Sequence, residues 1–304
     1  MKPIRQILAV TDFSAPAQQA AERAALLASS CQAALTLLHV LPGEPLQQLR
    51  AWLPAAAPVE GQLQAAAAAQ LARVAAGLQA LHGLQGLPLH TRCADGPVVE
   101  EITAAADALD AGLLVLGARG AGVWRRLVLG TTAERLLRRT QRPLLVVRAP
   151  AAAPYGRVLV ALDFSPWSLA ALALAQAVAP AAQWVLFHAF QVPFEDKLHF
   201  AGVDTSTIER YRQQSRALAT QRVHALAAAA GLQAGRWQPC VVEGDAALRL
   251  LEQEQQQGCD LVVLGKHGQS ATEDLLLGSV SRHVLAEGRG DVLVSTLQAA
   301  TPAS

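Results

Sequence analysis

Two stretches of the chain, VLGARGAGVWRRLVLGTTAERL at Val115–Leu136 and VLGKHGQSATEDLLLGSVSRHV at Val263–Val284, share one frame. In each, a glycine is followed by two residues, a second glycine, nine residues, a third glycine and a hydroxyl residue. The chemistry this frame suits is the holding of an anion. Gly117, Gly120 and Gly130 allow turns and close backbone approach that other residues forbid. The stretch TTAERLL reads as a helix, and its first-turn N–H groups and positive dipole end favour a phosphate. Thr131, with Thr132 beside it, is expected to cap that helix and offer a hydroxyl to a phosphate oxygen. Gly265, Gly268, Gly278 and Ser279, with Val280 following, repeat every part. The plainer alternative is a structural turn copied by duplication. Against it, the filler has drifted from AGVWRRLVL to QSATEDLLL while the length and the glycines have not.

Such a frame needs a strand before it and a helix after it, and the repeat extends to both. ILAVTDFSAPA (Ile7–Ala17) matches VLVALDFSPWS (Val158–Ser168), LTLLHV (Leu35–Val40) matches WVLFHAF (Trp184–Phe190), and RPLLVV (Arg142–Val147) matches GDVLVS (Gly290–Ser295). RCADGPVVEEI also matches CVVEGDAALRLL through Gly96 and Gly244, each 21 residues ahead of its frame. A repeat of this length makes each half a domain, with expected bounds of 1–150 and 154–298 around the linker APAAAPYG. In the first half, aliphatic runs at Ile4–Val10, Ala33–Val40, Leu87–Cys93, Gly112–Leu116 and Pro143–Arg148 read as parallel strands buried on both faces. Ala- and Gln-rich helices lie between them, including Val59–Leu81. Ser14 with Pro16, and Ser165 with Pro166, read as helix starts. The expected fold is α/β: two tandem Rossmann-like doubly wound domains, each with a five-stranded parallel sheet. Ligands bind such sheets at the carboxyl ends of the strands, where strand order reverses.

The bulk of the chain agrees and excludes other classes. Its 304 residues are 52% apolar and 16% charged, with 25 basic and 24 acidic side chains. So balanced a charge gives no footprint for nucleic acid or an anionic membrane. The four cysteines stand apart without ligand-like spacing, and neither a leader core nor a membrane span is read, so a cytoplasmic protein is expected. There is no GxxxxGK[ST], no dinucleotide glycine fingerprint after the first strand and no nucleophile with an evident base.

The frame G-x2-G-x9-G-[S/T], the aspartates closing the first strand of each half (Asp12, Asp163) and the LLHV strand resemble the universal stress protein family in its tandem form. The resemblance covers nearly the whole chain and implies ATP as ligand, with Mg²⁺. It places Asp12 and Asp163 beside the adenine and the metal–phosphate region. Gly117, Gly120, Gly130 and Thr131 form the phosphate and ribose loop, as do Gly265, Gly268, Gly278 and Ser279. Val40, and Ala189 in the second half, pack the adenine, while Arg119 and His267 reach toward phosphate. It further implies that Pro143–Arg148 and Asp291–Thr296 pair as an internal pseudo-dimer, with homodimers and regulatory protein partners also in view. Three activities stay open: a nucleotide-responsive stress-survival module, a slow Mg²⁺-dependent ATPase, and a scaffold with vestigial loops.

Two departures stand out. Asp291 replaces the proline (Pro143) that opens the last strand of the first half, and QVPFEDKLHFAGVDTST reads as a longer, more polar insert. His39 and His188 read as satisfied strand-end histidines and not as metal ligands. Arg125, Arg126, Arg135, Arg138, Arg139 and Arg142 read as a solvated basic face.

Overall fold

The computed structural model describes residues 3–43, 59–81, 86–118, 130–192, 200–201, 203–268 and 277–297. The first half runs β1 (Gln6–Val10), α1 (Ala15–Cys31), β2 (Ala34–Pro42), α2 (Val59–Leu81), β3 (Leu89–Gly96), α3 (Val98–Ala108), β4 (Leu113–Gly117), α4 (Thr131–Arg139) and β5 (Leu144–Val147). The second half repeats it: β6 (Arg157–Ala161), α5 (Pro166–Val178), β7 (Gln183–Phe190), α6 (Thr205–Ala229), β8 (Trp237–Glu243), α7 (Ala246–Gln256), β9 (Leu261–Gly265), α8 (Ser279–Glu287) and β10 (Asp291–Ser295). Ser14 and Ser165 cap α1 and α5 by accepting the N–H groups of Ala17 and Ser168, with proline in the first turn of each helix. These starts are the ones the sequence signals.

Within each half the five strands are parallel, in the order β3-β2-β1-β4-β5 and β8-β7-β6-β9-β10. Strand order reverses between β1 and β4, and between β6 and β9. β5 and β10 then pair antiparallel and fuse the halves into one ten-stranded sheet. Leu145 faces Leu293 in that pair, and the two hold the same place in the repeat, so a local two-fold passes between them. The internal pseudo-dimer is therefore present, and its pairing removes two apolar edges from solvent. Helices α1, α2, α5 and α6 bury alanines and leucines on one face of the sheet, while α3, α4, α7 and α8 cover the other.

The Pro143-to-Asp291 departure has a structural cause. Asp291 is 0% exposed and sits at the junction of the halves. Its Oδ1 accepts the N–H groups of Arg148 (2.8 Å) and Ala149 (3.2 Å), and its Oδ2 accepts the Tyr155 hydroxyl at 2.6 Å. Arg23 of α1 completes the set with Nε 3.3 Å from Oδ2 and its guanidinium 4.1 Å from the centre of the Tyr155 ring. A proline would supply none of this.

The insert expectation is corrected. The connection from β7 to α6, residues 191–204, is no longer than its first-half counterpart, residues 43–58, because DTST is taken up by Asp204 as N-cap and by the first turn of α6. Among the described residues no helix is long and apolar enough to cross a membrane. All four cysteines are free thiols.

Candidate functional site

The sequence D-F-S that follows β1 and β6 folds into the same strained turn twice. Phe13 and Phe164 both have φ of 63°, a left-handed conformation that costs a non-glycine residue about 1–2 kcal/mol. The aspartate holds it: Asp12 Oδ1 accepts Ser14 N–H at 3.0 Å, and Asp163 Oδ1 accepts Ser165 N–H at 3.0 Å and its hydroxyl at 2.6 Å. The phenylalanine then packs on a histidine of the neighbouring strand, Phe13 on His39 at 4.3 Å and Phe164 on His188 at 4.5 Å between ring centres. The Nδ1 atoms lie 2.8 Å from the Thr11 carbonyl and 2.7 Å from that of Leu162. A carbonyl only accepts, so each Nδ1 carries the proton and each imidazole is oriented. Burial, with Arg222 nearby, holds His188 below the usual imidazole range despite the Leu162 carbonyl and Asp163. These are satisfied histidines, as expected, and they also brace the turn that presents the aspartate. The repeated D-F-S and matched histidines were visible in the sequence, but their joint role was not read from it.

The glycine frame closes on itself. Ala118 and Lys266, each following the first glycine, donate their N–H to Val147 (2.8 Å) and Ser295 (2.7 Å) at the ends of β5 and β10. Their carbonyls accept the N–H groups of Gly130 (2.9 Å) and Gly278 (3.0 Å), so loop entry and exit are clipped together. This fixes the span between entry and exit. One expectation needs correction: Gly130 and Gly278 are the N-cap residues of α4 and α8, with no side-chain cap, and Thr131 and Ser279 are the first helical residues. A glycine cap leaves Thr131, Thr132 and Ala133, like Ser279, Val280 and Ser281, with first-turn N–H groups that no helix carbonyl reaches. Arg119, Gly120, Arg125 and Arg126 lie outside the described residues. Of the other basic residues, Arg138 pairs with Glu134, Arg139 with Glu100, and Arg142 with Asp107 and Asp110, along an outer surface.

The glycines meet different demands. A Cβ on Gly117 would lie 2.7 Å from the Pro16 carbonyl oxygen, and one on Gly265 would lie 2.9 Å from Trp167 Cβ. These two let helices α1 and α5 approach the strands. A Cβ on Gly268 would stand 3.1 Å from Asp163 Oδ2, which places that carboxylate oxygen beside the loop. Gly278 is unlike them. Its φ is −56°, open to any residue, and among the described residues its Cβ would meet nothing nearer than the Lys266 carbonyl at 3.4 Å.

In the second half these parts surround a cleft of about 830 Å³ at the carboxyl ends of β6 and β9. Asp163, Ala189, Gly265, His267, Gly268, Gly278, Ser279 and Val280 all line it. Its apolar wall comes from Leu162, Phe187, Leu250, Leu264 and Leu277, and Asp245 and Ser281 add polar groups that the sequence reading did not name. Ser281 is turned inward, its hydroxyl donating to the Gly265 carbonyl at 2.8 Å. His267 is 5% exposed and its ring lies 4.7 Å from that of Trp167. In the first half Asp12 follows β1, Val40 lies on β2, Gly117 ends β4, Gly130 caps α4, and Thr131 and Thr132 open it, in the corresponding places. Among the described residues no group of three or more His, Cys, Asp or Glu side chains is arranged to hold a metal ion.

Residues 3–148 and 154–295 each match the model of the universal stress protein family. The chain belongs to that family. Universal stress proteins Rv1996 and Rv2005c of Mycobacterium tuberculosis are 31% identical over 198 residues and 30% identical over 192 residues. The alignments take in 61% of this chain and span 59% and 62% of those relatives' own length. A universal stress protein from Archaeoglobus fulgidus superposes with a TM-score of 0.67 at 18% identity, over 96% of this chain and 98% of that one. A functionally unknown protein from Pseudomonas aeruginosa does so with a TM-score of 0.60 at 20% identity, over 96% and 92%. At these identities the superpositions establish the tandem fold.

Proposed function

We propose that this universal stress protein binds ATP with Mg²⁺, in the cleft of the second half and at the matching place in the first, and acts as a cytoplasmic nucleotide-responsive regulatory module. Residues 1–150 and 154–298 would each form one binding unit. Gly278 carries the reading. Neither its backbone conformation nor its neighbours among the described residues require glycine, and an N-cap takes serine, aspartate or asparagine as readily, yet glycine stands at the cleft wall and opens α8. A ligand approaching the first turn of that helix supplies the missing reason, and the N–H groups of Ser279, Val280 and Ser281 suit a phosphate. The apolar wall suits a base, and a cleft of this size is ordinary for a cofactor. The donor set fits magnesium as a phosphate-borne ion: Asp163 offers one carboxylate, and Mg²⁺ commonly takes one or two carboxylates, phosphate oxygens and waters. Asp163, and Asp12 in the first half, would hold it, and the bound ion would neutralise phosphate charge. Regulatory protein partners would read the occupied state.

The test begins with the chain purified without added nucleotide, then denatured to identify what it releases. About one or two equivalents of ATP or ADP are expected, and calorimetric titration of stripped protein with ATP and Mg²⁺ should saturate. Gly278→Val should remove the second-half share. No released nucleotide and no heat of binding would overturn the reading in favour of a scaffold. Release of ADP after loading with ATP would instead mark the chain as a slow ATPase.

A further inference from the structure

We infer that the two sites are coupled, because the helix that opens at each site is held at its far end by side chains of the other half. The inference rests on the nucleotide reading above and concerns its regulation. Helix α8 begins at Gly278 in the second cleft, and its last carbonyls, those of Leu285 and Gly288, accept both terminal nitrogens of Arg148, which follows β5 of the first half. Helix α4 begins at Gly130 in the first half. At its other end Lys266 Nζ, from the second-half loop, donates to the carbonyls of Arg138 (3.3 Å) and Thr140 (3.5 Å). Thr296, which holds the place of Arg148 in the repeat, adds its hydroxyl to the Gln141 carbonyl at 2.6 Å. Each half thus sets a cation against the negative end of the other's helix, while the positive end faces the anion site.

Lys266 does more than cap. It is 5% exposed and stands between the two glycines Gly265 and Gly268 that line the second cleft. Its carbonyl accepts Gly278 N–H and its own N–H donates to Ser295, so the residue that clips the second loop also grips α4. The matching Ala118 makes the same two backbone bonds but has no side chain to reach across. The tie therefore runs from the second loop to the first helix. Nine residues of α4 span only about 13 Å, and Ala133, Leu136 and Leu137 are buried, so the helix moves as a unit or not at all. A nucleotide that fixes Gly265–Gly268 and Gly278 fixes Lys266, and through it the position of the Thr131–Ala133 N–H groups. Filling the second site should strengthen the first, by about fivefold, the lower end of ordinary coupling between sites.

ATP with Mg²⁺ is titrated calorimetrically into the full chain, Gly130→Val and Gly278→Val, then into the same three with Lys266→Met added, each checked by thermal melting. Independent sites make the full-chain isotherm the sum of the two single-site isotherms. A fivefold coupling moves the midpoint by its square root, so the expected result is a full-chain midpoint about twofold tighter than that sum, with additivity restored by Lys266→Met. A second readout does not depend on Lys266→Met folding: in Gly130→Val, filling the remaining site should slow hydrogen exchange at Thr131–Ala133. Additive isotherms with unchanged exchange would overturn the coupling while leaving nucleotide binding intact. Non-additivity that survives Lys266→Met would overturn the part given to that residue. Absence of heat in every protein, the full chain included, would defeat the nucleotide reading itself and the coupling with it.

Discussion

Replacing Asp291 by alanine should be among the most damaging single changes in this chain. The carboxylate receives the Arg23 guanidinium, the Tyr155 hydroxyl and the N–H groups of Arg148 and Ala149, all where solvent barely enters. Removing it leaves Arg23 charged at 5% exposure, with the Ala153 carbonyl at 2.7 Å and the Tyr155 ring as its remaining company. Breaking a buried pair from one side costs about 3–5 kcal/mol, mostly for the charge left behind. Each orphaned donor adds about 1–3 kcal/mol where water cannot replace its partner. The three donors share one vacated space, so water entering it relieves part of each penalty and the total should stay near 3–5 kcal/mol. A domain has only about 5–15 kcal/mol in all. Asp291→Asn keeps an acceptor for the backbone groups and should cost less than alanine. Adding Arg23→Met to Asp291→Asn removes the stranded charge, so the pair should be at least about 1 kcal/mol more stable than the sum of its single effects predicts. Urea denaturation followed by far-ultraviolet circular dichroism compares the parent with Asp291→Ala, Asp291→Asn, Arg23→Met and the double variant. An alanine variant within about 1 kcal/mol of the parent, or strictly additive effects, would refute the view that this network joins the halves.

Two further outcomes follow from the same contacts. Burial above all, then the Asp291 charge, raises the Tyr155 phenol well above its ordinary value of 10.0, so the folded state keeps a proton that the unfolded state loses. Stability is then fully present below pH 10 and falls as pH rises from there toward the raised value; in a Tyr211→Phe background, tyrosinate absorbance should appear only with unfolding, and an ordinary titration in the folded chain would contradict this. Gly265→Ala should cost about 1–3 kcal/mol by overpacking against Trp167 Cβ, whereas Gly278→Ala should stay within about 1 kcal/mol of the parent, the poorer alanine N-cap offsetting the entropy gained, and equal urea midpoints for the two would dismiss the distinction.

Much of the fold was legible because it depends on periodicity and punctuation. Runs such as LLVLG and LLVV are buried almost end to end, and continuous aliphatic character is the signature of a parallel strand covered on both faces. Ser14–Pro16 and Ser165–Pro166 announce helices because both residue types act locally. Pairing of the last strands came through the family resemblance. What stayed hidden depends on distance: that Asp291 meets Arg23, or that Lys266 crosses into the other half, is a matter of which surfaces the sheet brings together. The capping error at Thr131 has a similar origin. A hydroxyl just ahead of a helical pattern normally caps it, but here the clip between Gly130 and Ala118 puts the glycine in that place and moves the threonine into the first turn.

The glycines that first drew attention are kept for separate reasons, and the separation strengthens the functional argument. Gly96 and Gly244, at φ of 144° and 126°, answer to backbone conformation. Gly117 and Gly265 answer to helices packed against strand ends. Both demands would survive in a domain that bound nothing, so repetition of those four positions says nothing about a ligand. Gly278 answers to neither demand among the described residues, and it stands where the cleft meets first-turn N–H groups that no helix carbonyl reaches. If duplication alone explained the frame, drift at this N-cap to serine, aspartate or asparagine would have met little resistance from the fold. The weight of the nucleotide reading therefore rests on one glycine and the helix it opens, and that is where substitution should separate binding from stability.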